Sequence, residues 1–162
     1  MEEDRETSRT LLSRTQAIER EAAMEIDECV IFALGKAYQK AHGELKHRLK
    51  PLGLTVPQYS VLAGLWEQDG RTAAQLRERL TMDSATLTGV LDRLERSGLV
   101  VRSPDEKDRR LVRLRLTKAG TALREEVQRT VAELNGELLR LLPPQEAEPL
   151  RAALRTIATG ER

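Results

Sequence analysis

The chain has 162 residues, 33% of them charged and 40% hydrophobic, with a net charge of +1, which suits one domain, with or without an oligomerisation extension, and a sizeable core. Aromatics at 2% argue against a stacking platform for single-stranded nucleic acid, and the lone Cys29 excludes an intrachain disulfide framework. No apolar run approaches the roughly 18 residues of a membrane span, and the polar, acidic start from Met1 to Arg9 is no secretory signal, so a cytoplasmic location is expected.

Residues 1–14 are polar and read as a tail. From about Thr15 to Leu49 the apolar residues Ile26, Val30, Ala33, Ala37, Ala41, Leu45 and Leu49 recur at three- and four-residue steps, predicting one long helix ended by Pro51 and Gly53. Its stripe of small and aliphatic residues suits packing against another helix, including one from a second subunit. Thr55 with Gln58 forms a capping box that opens a helix through Tyr59, Leu62, Leu65 and Trp66, stopping near Asp69-Gly70. Thr72 with Gln75 opens a short helix through Leu76 and Leu80. Asp83 caps a third start, whose Leu87, Val90, Leu91 and Leu94 point inward and which ends at Ser97-Gly98.

Two β-prone runs follow, Leu99-Val100-Val101 and Leu111 to Leu116, joined by the charged turn Ser103 to Arg110. Thr117 caps a long helix through Leu141, Pro143-Pro144 breaks it, and Glu146 to Ala158 forms a last helix. The layout is mainly α with a small β-hairpin wing, a winged helix-turn-helix between helices at both ends. Charge follows this layout: residues 71–118 hold twelve Lys/Arg against seven Asp/Glu, whereas both flanks carry an acidic excess. A basic centre between acidic flanks fits a nucleic-acid footprint, although a merely solvated surface is the plain alternative.

A helix that reads the major groove needs small or polar residues on its outer face near its N-terminus. Ser84, Ala85, Thr86, Thr88 and Gly89 meet that need, and Arg93 and Arg96 extend toward the backbone. An Arg at the hairpin tip suits the narrow minor groove, where the negative potential is strongest, and Asp108 is placed to pair with one.

The stretch LTMDSATLTGVLDRLERSGLVVRSPDEKDRRLVRLRLTKAG, Leu80 to Gly120, resembles the DNA-binding core of MarR-type transcription regulators. Its most specific part is Asp-Arg-Arg in the wing followed by Leu-Thr-x-x-Gly. The resemblance extends more loosely over nearly the whole chain after about residue 25. It implies a homodimer on a palindromic operator, usually a repressor relieved by a small ligand or by oxidation. It implies an N-terminal dimerisation helix and linker over 15–54, a winged module over 55–117 and C-terminal dimerisation helices over 118–162. It makes Arg110 the minor-groove residue, Asp108 its organiser and Ser84 to Arg93 the major-groove face. Arg109 is an equally basic neighbour, and both arginines stay candidates.

MarR-type proteins commonly bind aromatic or phenolic compounds, and Phe32, Tyr38, His42, Tyr59 and Trp66 are the candidate lining; taken singly, each is better read as core filling. One MarR subgroup senses organic peroxides through an N-terminal-helix Cys, which makes Cys29 a redox candidate for an alternative, peroxide-sensing function. Counting back from Thr55, however, that Cys falls near Ile31, and two helical steps swing a side chain to roughly the opposite face. The subgroup also has Tyr where this chain has Val56, and Asp27 and Glu28 beside Cys29 disfavour a thiolate. His42 and His47 are five apart and form no two-ligand pair, so no metal is expected. No cofactor is expected either. With no phosphate-cradling Gly loop, His-Glu-x-x-His or Gly-x-Ser-x-Gly in the chain, an enzyme is not expected.

Overall fold

The computed structural model describes residues 26–160, so the tail over 1–14 and the expected helix start at Thr15 lie outside the described residues. The chain divides into two compact units, 1–41 and 42–162. The described elements are α1 (Val30–Leu49), α2 (Val56–Glu67), α3 (Ala73–Leu80), α4 (Ser84–Arg96), β1 (Val100–Pro104), β2 (Val112–Leu116), α5 (Lys118–Leu139) and α6 (Ala147–Thr159), with short 3-10 turns at Ile26–Glu28, Lys50–Leu52 and Pro144–Glu146.

In the first unit, Cys29 precedes α1, and its carbonyl accepts the amide of Ala33 at 2.9 Å. Ile26, Val30, Ile31 and Tyr38 are exposed there, and the ammonium of Lys36 lies 5.2 Å from the centre of the Phe32 ring.

In the second unit the local signals are used as their chemistry dictates. Leu49 and Pro51 lead to a left-handed Gly53 at φ +69°. Thr55/Gln58 and Thr72/Gln75 each form a reciprocal capping box, satisfying amides that a helix start leaves without partners. Asp83 accepts the Thr86 amide at 2.8 Å. Between α3 and α4 the chain turns through Thr81, whose φ of 51° is left-handed although the residue is β-branched; its amide closes α3 by donating to the carbonyls of Arg77 and Glu78.

The core is built around α2. Val61, Leu62 and Leu65 are fully buried, and they meet Leu76 of α3, Leu87, Val90, Leu91 and Leu94 of α4, Val100 and Leu114 of the hairpin and Val127 of α5. Burying one such aliphatic side chain is worth about 1.5–3 kcal/mol, so this cluster holds the helix-turn-helix and the hairpin as one body.

β1 and β2 pair antiparallel with Val100 opposite Leu116 and Pro104 opposite Val112. Ser103 and Pro104, expected in the turn, extend β1 instead, because their partners Arg113 and Val112 continue the ladder. The free edge of β2 is covered by the segment after α2: Gly70 N–H donates to Leu114 O at 3.0 Å, Leu114 N–H to Arg71 O at 2.9 Å, and Leu116 N–H to the carboxylate of Asp69 at 2.8 Å. Helix α2 ends at Glu67 with Gln68 as its cap, just before the expected Asp69-Gly70, and that pair protects a sheet edge instead.

The run Leu116-Thr117-x-x-Gly120 joins hairpin to α5. Thr117 donates its hydroxyl to Gly98 O at 2.6 Å and accepts the Gly120 amide at 3.1 Å. The buried indole of Trp66 donates to Gly120 O at 3.0 Å. α5 runs to Leu139, two residues short of the expected Leu141. On α6, Leu150, Leu154 and Ile157 stay exposed, as does Leu141 before it.

Candidate nucleic-acid interface

Helix α4 begins at Ser84, its first turn capped by the Asp83 carboxylate, and hydrogen bonding from Thr86 holds the Asp83 carboxyl below its usual range. One face of α4 is committed to the core through Leu87, Val90, Leu91 and Leu94. The opposite face leaves Ser84, Ala85, Thr86, Thr88 and Arg93 exposed and Gly89 partly so. A β-carbon at Gly89 would meet nothing nearer than the Arg93 guanidinium at 3.8 Å among the described residues, so none of them requires glycine there. Ser84 accepts a hydrogen bond from Arg77 of α3 at 2.8 Å, and Thr88 donates to the Ser84 carbonyl at 2.8 Å.

The wing tip is organised by Asp105. One of its carboxylate oxygens accepts the amides of Lys107 and Asp108 at 2.8 and 2.9 Å, and the other accepts Arg113 Nε at 2.6 Å. Arg113 also donates to Gly70 O at 3.2 Å, which ties the tip to the covered sheet edge. The Asp108 amide, Arg113 and the Lys107 amide together lower the Asp105 carboxyl to about 2. Beyond this brace, Asp108 accepts the Arg110 amide at 3.1 Å and faces Arg110 Nε at 3.5 Å. The Arg110 side chain is 94% exposed. Arg109 is exposed too and lies in a shallow groove with Pro104, Asp105 and Glu106.

Sequence patterns alone did not single out Arg77, Arg102 or Asp105 as structural links. The Pro104-Asp105 pair was the available signal, because Asp after Pro favours a side-chain-to-backbone turn. Arg102 of β1 donates to Glu95 and to Asp92, each at 2.7 Å, and no local pattern announces that contact across the turn.

An exposed helix face of small and hydroxyl residues beside a basic hairpin, both mounted on one core, is the geometry of a winged DNA reader. Residues 54–112 match the profile of the MarR family. The organic hydroperoxide resistance transcriptional regulator of Bacillus subtilis (strain 168) is 32% identical over 136 residues, covering 83% of this chain and 90% of that protein. The chain belongs to the MarR family. Among solved MarR-like structures, the transcriptional repressor CouR bound to a 23-mer DNA duplex superposes with a TM-score of 0.78 at 32% identity, covering 83% of this chain and 95% of that one. CouR from Rhodococcus jostii RHA1 bound to p-coumaroyl-CoA gives 0.76 at 29% identity, with 84% and 96% covered. The protein is thus a MarR-type winged-helix transcription regulator that binds DNA.

Of the aromatic candidates in this MarR fold, Trp66 is 6% exposed with its one donor engaged, and Tyr59 is partly buried. Burial raises the Tyr59 phenol above its ordinary value, with Glu67 adding to the shift. His42 and Phe32 are partly buried, Tyr38 is exposed, and Cys29 is partly buried. Among the described residues no cluster of His, Cys, Asp or Glu could hold a metal ion, and no helix is long and apolar enough to cross a membrane.

Proposed function

We propose that this MarR-type regulator is a cytoplasmic, homodimeric repressor that acts by binding, not catalysis, and that sits on a palindromic operator until a small phenolic ligand releases it. The observation that carries the reading is the mounting of the Ser84–Arg93 face and the Arg109/Arg110 wing tip on one core. In this reading α4 enters the major groove, Arg110, held by Asp108, enters the adjacent minor groove, and Arg109 supports it from the same tip. Exposed Ile26, Val30 and Ile31 near the N-terminus, and Leu150, Leu154 and Ile157 on α6, supply apolar surface for a second copy. A two-fold dimer places its two reading helices about 34 Å apart, one turn of the duplex, which favours a palindrome.

The ligand class is taken from CouR with p-coumaroyl-CoA. Ligand that favours a DNA-incompetent form of the dimer shifts the population off the operator. Of the candidate lining residues Phe32, Tyr38, His42, Tyr59 and Trp66, the partly buried Tyr59 is the one to follow by substitution. Footprinting on the DNA flanking the protein's own gene, with and without phenolic acids, tests the reading. Protection of an inverted repeat, lost on adding ligand, is the expected result; protection of no site removes it.

Similarity to the Bacillus subtilis hydroperoxide regulator supports a second reading, in which oxidation at Cys29 releases DNA. It requires that Cys29→Ser abolish peroxide-induced release in the same footprint. Release that persists in the variant dismisses it.

A further inference from the structure

We propose that Arg102 is a positioning residue for DNA binding: it locks the wing to the reading helix so that both reach the duplex in one register. This rests on the DNA-binding reading above. Arg102 stands on β1, and its two terminal nitrogens donate to Glu95 and Asp92, each at 2.7 Å. The two acids are three residues apart on α4, so they lie one above the other on the same side of the helix, and one planar guanidinium fork spans both.

The place of this bridge gives it leverage. Helix and wing are joined by Ser97-Gly98-Leu99, where Gly98 has a φ of +70°. Arg102 crosses that joint, and the wing tip begins three residues later at Asp105. A small rotation at Gly98 would be amplified along the hairpin at Arg109 and Arg110, and the bridge opposes it. It also occupies the acids of the DNA-facing helix: Asp92 and Glu95 are paired with Arg102, whereas Arg93 makes no ion pair among the described residues.

The side chains of Arg102, Asp92 and Glu95 are 36%, 48% and 39% exposed. Exposed pairs add little to fold stability, so the bridge is separable from folding. Two variants break it from opposite sides. Arg102→Gln removes the fork, and Asp92→Ala/Glu95→Ala removes its acceptors while making the helix more positive. Simple electrostatics predicts that the second variant binds DNA more tightly. Positioning predicts that neither variant still benefits from Arg110.

The probe is a duplex selected by the wild-type protein from a random-sequence pool. Binding constants are measured at fixed salt for wild type and both variants, each with and without Arg110→Ala, and melting curves check folding. The expected result is melting close to wild type, about tenfold weaker binding for Arg102→Gln, and an Arg110→Ala penalty that shrinks to within about twofold in both bridge-broken backgrounds. An Arg110→Ala penalty of full size in both backgrounds overturns the proposal while leaving the DNA-binding reading intact. Recovery of no duplex by wild type defeats that reading and this proposal with it.

Discussion

Gly120 lies so close to the carbonyl oxygen of Leu99 that a β-carbon on it would sit 2.1 Å from that oxygen. The contact is with backbone, and Leu99 O is also held by the Thr117 amide at 3.1 Å, so neither side yields cheaply. Gly120→Ala is expected to cost about 3 kcal/mol, read as a lower urea midpoint with an unchanged slope. Wild-type stability in this variant would show that α5 does not start against Leu99.

Gly89 is the opposite case. Its missing β-carbon would have room, and alanine is favoured in a helix interior by about 0.8–1 kcal/mol. Gly89→Ala is therefore expected to raise the melting temperature. If α4 presses its backbone toward base edges, the same change weakens operator binding by about 1 kcal/mol, roughly fivefold. Calorimetry and a binding titration on one preparation separate the two effects. A gain in stability with unchanged affinity would take Gly89 off the DNA-facing surface.

The wing should have a pH limit set by Asp105. Its carboxyl is lowered to about 2 from an ordinary 3.8, so the charged form is favoured in the folded state. The contribution is complete above the ordinary value and is lost as pH falls through about 2. A carbon-detected NMR titration of Asp105 should find its midpoint in that low range, with the Lys107 and Asp108 amides losing exchange protection alongside. Asp105→Asn keeps an acceptor for those two amides but loses the charge facing Arg113, and should remove the pH dependence. A midpoint near 3.8 would mean that neither the Asp108 and Lys107 amides nor Arg113 brace Asp105 in solution.

Arg110 and Arg109 are separable by single substitutions. Arg110 is the one held by Asp108, so Arg110→Ala is expected to cost on the order of 1–3 kcal/mol of operator binding and to lower the salt slope by about one. Arg109→Ala should cost less, and Asp108→Ala should weaken binding through lost orientation of Arg110. If Arg110→Ala leaves affinity and salt slope unchanged while Arg109→Ala does not, the groove residue is Arg109.

The order of helices and hairpin was legible because the signals that set it are local. Thr55 reads Gln58, Thr72 reads Gln75, Asp83 reads Thr86 and Thr117 reads Gly120 across three residues each, and the apolar spacing names the buried faces of α2 and α4. The small-residue face of α4 was legible for the same reason, since whatever is not spaced for the core is left outside. What tertiary structure alone decided are contacts between residues on separate segments of the chain. Trp66 meets Gly120, Asp69 meets Leu116, Arg113 meets Gly70 and Arg102 meets Asp92 and Glu95. No periodicity encodes these, because each depends on how separate elements pack before the side chains reach one another. The sequence by itself determined that a basic hairpin follows a helix whose outer face is small and polar. Only the packing of separate elements, core and surface bridge together, decided how the two stand relative to each other.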